Sequence, residues 1–337
     1  LQSNGYEVYL IGRKNKNSLT PTSKNYHQHQ IPVFFEKGKL MYIEYNLKLF
    51  FYLLFKKIDI IITIDLDTIV PSYYISKIKN IPRVYDAHEL FSELKEVITR
   101  PTIKKIWLSV EKYFVPRFPK GYTVSESIVD EFYKRYGVKY ICIRNMTAIQ
   151  NPVNNIEKEG DFLLYQGAVN EGRGLEWLIP AMKFVDMPLV ICGDGNFIDQ
   201  AKSLVKYHSV EEKVTFKGKI SPNELWEITK RAYAGINLVE PVGLNQLYSL
   251  ANKFFDYIHA NIPQLTMQFP EYERINNEFE VALLVKSLQI NEISEKLNLL
   301  IQNKVLYHRL SQNCKKASLQ YNWQSEEIKL LDFYLNI

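Results

Sequence analysis

The chain has 337 residues, 46% of them apolar, which supports sizeable cores and excludes a disordered polymer. Its three cysteines, Cys142, Cys192 and Cys314, are odd in number and far apart, so they read as reduced thiols of a cytosolic protein, not a disulfide framework or zinc site. The net charge of +5 is uneven: 23 Lys and Arg against 14 Asp and Glu in residues 1–150, and 19 against 23 in residues 151–337. The basic half suits an anionic membrane surface or substrate, or is simply a solvated lysine-rich face. No run of about 18 uncharged apolar residues suggests a spanning helix.

The opening LQSNG reads as the end of a helix, and EVYLIGR (7–13) as a strand. A doubly wound domain begins with a strand and a glycine-rich turn, so that first strand is expected to be missing from this chain. YNLKLFFYLLFKK (45–57) reads as a core helix, with an interfacial membrane helix as the alternative. IDIIITI (58–64) is a strand ending at Asp65-Leu66-Asp67. A D-x-D pair can hold a divalent metal, but without further ligands nearby it reads as a strand terminus that caps the adjoining turn. PRVYDA (82–87) is the next strand, and it places Asp86, His88 and Glu89 at its carboxyl end. There a histidine can hold a sugar hydroxyl or shuttle a proton, or be structural. GYTVS (121–125) and KYICIRN (139–145) complete the first series, and the polar stretch 147–161 reads as a linker.

A second series comprises FLLYQG (162–167), PLVICG (188–193), KVTFKG (213–218), AGINLV (234–239), PQLTM (263–267) and VALLV (281–285). Helical patterns alternate with these apolar runs, which means parallel sheets covered on both faces. The expected fold is α/β, two doubly wound Rossmann-like domains facing a cleft. The first would span residues 1–150 plus a crossover helix at 322–337, and the second residues 151–321. Strand-to-glycine turns at Gly167, Gly193 and Gly218-Lys219 fall at carboxyl ends of the second sheet, where such sheets bind ligands. Arg173 lies just before a helix. YSLANKFFDYIHANIP (248–263) gathers Ser249, Asn252 and Lys253 at the apparent start of a helix that stops near Asn261. A lysine there opposes the helix dipole unless an anion is held nearby.

These residues resemble the retaining glycosyltransferases of family 4, with the GT-B fold. The resemblance rests on IDLDT, YDAHELFSEL, YTVSESI and IRN in the first half. In the second it rests on YQGAVNEGRGLE, ICGDGNF, VTFKGKI and SLANKFFDYIHANIP, with YNWQSEEIKLLDFY as the closing helix. It implies a nucleotide-diphosphate sugar held by the second domain and an acceptor held mainly by the first. It implies no metal or other cofactor, because basic side chains and a helix N-terminus neutralise the leaving diphosphate. Arg173 and Lys253 match diphosphate contacts, Ser249 and Leu250 the phosphate-binding helix start, Asp256 the ribose-holding acid, and His88 the residue near the donor sugar. Gly167, Gly193, Lys219 and Asn252 complete the expected donor site; Asp86 and Glu240 join His88 as catalytic candidates.

The sequence departs from the family pattern at several points. Tyr248 stands where many members carry a glutamate that holds donor-sugar hydroxyls, and Glu240 is the candidate substitute. Ala168 replaces an arginine, and Ala251 a proline. The expected activity is transfer of a hexose-type sugar to a polysaccharide, lipid-linked or other acceptor with retention of configuration. The expected location is cytoplasmic, or peripheral on the inner membrane face through the basic half, with no nucleic-acid partner. The rivals are a nucleotide-sugar epimerase of similar fold and a non-catalytic nucleotide-sugar-binding subunit.

Overall fold

The computed structural model describes residues 1–15, 24–149 and 161–337. The chain divides into two compact units, Leu1–Cys142 with Lys329–Ile337, and Ile143–Ile328. The first unit thus ends ahead of the expected division at 150. The closing helix, Trp323–Leu335, begins in the second unit and ends in the first. Of the expected linker, residues 150–160 lie outside the described residues. Thr147, at its start, belongs to the second unit, where its carbonyl accepts the Trp323 N–H at 3.2 Å.

The first unit holds two parallel sheets. One pairs β1 (Tyr9–Lys14) with β2 (His27–Pro32). The other runs β3 (Ile61–Ile64), β4 (Arg83–Ala87), β5 (Lys120–Thr123) and β6 (Ile141–Cys142) in that order. Strand β2, HQHQIP, lacks the apolar alternation that marks a strand, and only Ile31 in it is buried. The helix Gly38–Leu54 buries Tyr45, Leu49 and Leu53, four residues apart, against Ile31, Ile61 and Ile75. The helix Ile69–Lys79 stops at Asn80, which takes the left-handed conformation at φ 53°.

The second unit is a single six-stranded parallel sheet. Its strands are β7 (Leu163–Gln166), β8 (Leu189–Cys192), β9 (Val214–Gly218), β10 (Ala234–Asn237), β11 (Gln264–Met267) and β12 (Ala282–Val285). The spatial order is β12-β11-β10-β7-β8-β9. β7, β10 and β11 are buried along their whole length, as continuous apolar runs require. The chain winds outward from β7 through β8 and β9, then returns to lay β10 on the other side of β7. That reversal is the topological switch point, where open α/β sheets bind ligands.

The helix Asn252–His259 packs on this switch point. Phe254, Phe255, Tyr257 and Ile258 have no exposure. The Tyr257 hydroxyl donates to the Leu164 and Ile236 carbonyls, at 3.0 and 3.3 Å, and so links β7, β10 and the helix. Asn261, at φ 57°, supplies the left-handed stop expected ahead of Pro263. Both units are therefore α/β with parallel sheets, as the alternation of patterns implies.

Candidate functional site

The loops at the carboxyl edge of the second sheet are bound to one another through their backbones. The Gly167 N–H donates to the Cys192 carbonyl at 3.0 Å, and the Gly193 N–H to the Gly218 carbonyl at 2.8 Å. Gly193 sits at φ 152°, and a Cβ there would lie 1.8 Å from the Gly167 oxygen, so no side chain fits. The three turns enclose a pocket of about 450 Å³ lined by Gly167, Ala168, Gly193, Asp194, Lys219 and Leu225. Lys219 is exposed. A second hollow, about 400 Å³, is lined by Glu171, Glu176, Trp177, Asn196, Phe197 and Glu240, with Gln200. The Glu240 N–H donates to the Gly172 carbonyl at 2.9 Å, which ties the β10 loop to the β7 loop across the switch point.

Besides Lys219, two cations stand at this edge. Arg173 precedes the helix Leu175–Ala181, whose cap Gly174 takes φ 83°. Lys253 is the second residue of the helix Asn252–His259, and its ammonium lies 4.0 Å from the centroid of the Tyr165 ring. Gly167, at φ 117°, lies beside it; a Cβ there would meet the lysine stem only at 3.9 Å, an ordinary contact, so the backbone conformation and not the space favours glycine. Among the described residues neither cation forms an ion pair. The Lys253 side chain keeps some exposure, but its ammonium is enclosed, and that burial holds its pKa down at about 7. The Arg173 charge pushes in the same direction, and Asp256 opposes it more weakly.

Asp256 is engaged in a buried network. One carboxylate oxygen accepts from Thr147 Oγ1 at 2.5 Å and the other from Gln166 Nε2 at 2.9 Å. Gln166 in turn accepts from Thr229 Oγ1 at 2.8 Å. Burial raises the pKa of Asp256, against the pull of these hydrogen bonds. The network joins residues up to 109 positions apart and has no local sequence signal. Ser249 and Leu250 do not open the helix, as the sequence suggested. A short helix, Gly243–Leu247, precedes them, and the Ser249 hydroxyl turns back to the Gln246 carbonyl at 2.9 Å. The Ala251 N–H donates to the Tyr272 hydroxyl at 3.0 Å, and the helix begins only at Asn252, without a side-chain cap.

In the first unit, the carboxyl ends of β3 and β4 bring Asp65, Asp86 and His88 together. The His88 ring nitrogen Nε2 lies 3.1 Å from Asp86 Oδ1, and the Tyr122 hydroxyl donates to Asp86 Oδ2 at 3.0 Å. The Tyr122 hydroxyl is also 3.2 Å from that of Tyr334, which the closing helix contributes. The hydrogen bond to Asp86 raises the pKa of His88 more than burial lowers it. Asp65 does not cap the turn after it. Its carboxylate accepts the His88 backbone N–H at 3.0 Å instead. Its backbone, at φ 55° and ψ 179°, occupies a region normally left to glycine, at a cost of about 1–3 kcal/mol. Burial lifts its pKa to about 7; the His88 charge opposes this, while Glu89 and Asp67 add to it. No group of three or more His, Cys, Asp or Glu side chains able to hold a metal ion occurs among the described residues.

The model of the family described as glycosyl transferases group 1 matches residues 147–317, and that of glycosyltransferase family 4 matches residues 1–155. No curated protein matches the chain in sequence. Among solved structures, sucrose-phosphate synthase from Thermosynechococcus elongatus superposes with a TM-score of 0.79 at 16% identity, over 99% of this chain and 90% of that one. Anabaena Alr3699/HepE in complex with UDP gives 0.74 at 12% identity, over 93% and 87%. WaaG, a glycosyltransferase involved in lipopolysaccharide biosynthesis, gives 0.73 at 15% identity, over 98% and 92%. At these identities the likeness is one of fold.

Proposed function

The chain belongs to the group 1 glycosyl transferases, and on that premise we propose that it moves a sugar from a nucleotide diphosphate to a hydroxyl acceptor with retention of configuration. The observation that carries this reading is the pair Arg173 and Lys253 at the switch point. Two cations without an ion pair among the described residues, one of them enclosed and depressed in pKa, are poised for a diphosphate. Bound there, the diphosphate would restore the Lys253 charge and be neutralised as the sugar–phosphate bond opens. The pocket of Gly167, Gly193 and Lys219 would take the nucleoside. The fold relative HepE is solved with UDP and with UDP-glucose, which supports a uridine nucleotide as the first to test.

Retention implies that the acceptor hydroxyl attacks on the face the diphosphate leaves, with the diphosphate oxygen taking its proton. The sugar then passes through a state with oxocarbenium character. His88, oriented by Asp86 through its ring and by Asp65 through its backbone, is assigned to the transferred sugar. Glu240 is assigned to the sugar hydroxyls in place of the glutamate absent at Tyr248. A saccharide or lipid-linked hydroxyl is the proposed acceptor class. The reaction is proposed to need no metal, because the cations do the work of one. The Tyr248 position favours a second reading, a nucleotide-sugar-binding subunit without turnover.

The test is incubation with a panel of UDP-sugars and saccharide acceptors, with and without chelator. Release of UDP together with a glycoside of unchanged anomeric configuration, equal in both arms, is expected. Inverted product, or turnover abolished by chelator and restored by Mg²⁺ or Mn²⁺, contradicts the corresponding part. Binding without turnover supports the second reading.

A further inference from the structure

The helix Gly38–Leu54 is apolar on two opposite faces. Tyr45, Leu49 and Leu53 point into the core. Leu40, Ile43, Leu47 and Phe51 follow the same helical spacing half a turn away, and each is more than half exposed, at 55%, 56%, 55% and 57%. Phe55 extends the stripe at 83% exposure, and Phe34 adds to it at 84%. Phe34 is anchored beside it: the Glu44 carboxylate accepts the backbone N–H groups of Phe34 and Phe35 at 2.8 and 2.9 Å. Lys48 then pairs with Glu44 at 2.7 Å. The core explains only one face of this helix.

The charge around the stripe selects its occupant. Residues 33–57 contain five lysines, Lys37, Lys39, Lys48, Lys56 and Lys57, against Glu36 and Glu44, and Glu44 is already engaged. Lys37 and Lys39 stand at one end of the stripe, Lys56 and Lys57 at the other. Pairing two copies through this face would set lysine against lysine. No helix among the described residues is long and apolar enough to cross a membrane. A 17-residue helix, about 25 Å long, can lie in the plane of an interface, with its apolar side in the acyl boundary and its lysines among headgroups. We propose that this face of the first unit docks on the surface of an anionic lipid bilayer.

The test is co-sedimentation of the full chain with vesicles of phosphatidylcholine alone and mixed with phosphatidylglycerol. Binding is expected to the anionic vesicles and to weaken with added salt. The Leu47→Ser/Phe51→Ser variant should bind about tenfold more weakly or worse. Its melting temperature should be unchanged, since both side chains face away from the core. The Lys37→Gln/Lys39→Gln variant should lose affinity only for anionic vesicles. UDP binding in solution should be the same in all of them, which separates this test from that of the donor site. Failure of the native chain to bind anionic vesicles, or undiminished binding by the apolar variant, overturns the proposal. So does a dimer in sedimentation that the Leu47→Ser/Phe51→Ser change dissolves, which would assign the face to a second copy.

Discussion

The two halves of the sequence, residues 1–150 and 151–337, carry net charges of opposite sign, and the sheet edge in each runs against the charge of its half. Residues 1–150 are basic by nine charges, yet the edge formed by β3 and β4 gathers Asp65, Asp86 and Glu89 around one histidine. Residues 151–337 are acidic by four, yet the edge at β7 and β10 holds Arg173 and Lys253, which form no ion pair among the described residues. The net charge of a region therefore does not predict the charge of its site. Local burial does: in each unit, like charges crowd and the pKa of the buried member moves toward neutrality, Asp65 upward and Lys253 downward.

The edges also differ in construction, and substitutions should separate them. The second is built backbone against backbone, so its largest sensitivity lies in glycine. Gly193→Ala should cost about 3–5 kcal/mol, because the Gly167 oxygen leaves no room for the methyl. Gly218→Ala is the control: its φ is 69°, but a Cβ would meet nothing within 4 Å, so only about 1 kcal/mol should be lost. Denaturant titration of both would show it, and equal losses would refute the packing argument.

The first edge is built from side chains, and its largest effect should be on rate. His88→Ala should lower kcat by roughly 10²-fold or more while the donor Kd holds, as a group felt mainly in the transition state does. Single-turnover kinetics and a melting curve on the same protein decide it. A lower melting temperature with near-normal turnover would make His88 structural.

A smaller effect is expected at Asp65. Its raised pKa means that the folded state binds more protons than the unfolded chain, so stability falls as pH rises from about 4 to about 7. His88, also raised, contributes stability that is lost as pH climbs through its folded pKa. Lys253 runs the other way: its cost is full below about 7 and is relieved above it. Asp65→Gly removes strain of about 1–3 kcal/mol and a hydrogen bond of about 1 kcal/mol. Melting temperature at pH 7 should be unchanged or higher, the fall between pH 4 and 7 shallower, and the His88 pKa lower by NMR. A clear loss of stability at pH 7 would mean the strained backbone is not a cost.

Much of the second unit was legible in sequence because its signals are local. Apolar runs, glycines at strand ends and a lysine early in a helix are all read within a few residues, and Asn261 gave the helix its stop. The features without a sequence signal are long-range or polar. Strand β2 carries histidine and glutamine where an apolar alternation would announce it. Ser249 and Leu250 look like a helix start, but Gln246 and Tyr272 claim their neighbourhood. Tyr122 and Tyr334 reach Asp86 only through the fold, and Asp65 serves His88 from 23 residues away. The interfacial and core readings of residues 45–57 looked like alternatives, yet the helix has a face suited to each.

Whether Lys253 and Arg173 hold a diphosphate is decided by calorimetric titration of UDP into the intact chain. A lysine with a pKa near 7 must take up a proton when an anion binds above that pH. UDP affinity should therefore weaken as pH rises from 7 to 9, by up to about tenfold per unit, each tenfold being about 1.4 kcal/mol. Heats measured in buffers of different ionisation enthalpy should show proton uptake. Lys253→Met should bind UDP roughly 10- to 100-fold more weakly at pH 7 and lose the uptake, as loss of a charge-assisted hydrogen bond predicts. UDP binding of equal strength in both proteins, with no proton taken up by either, would rule out a diphosphate site at Lys253.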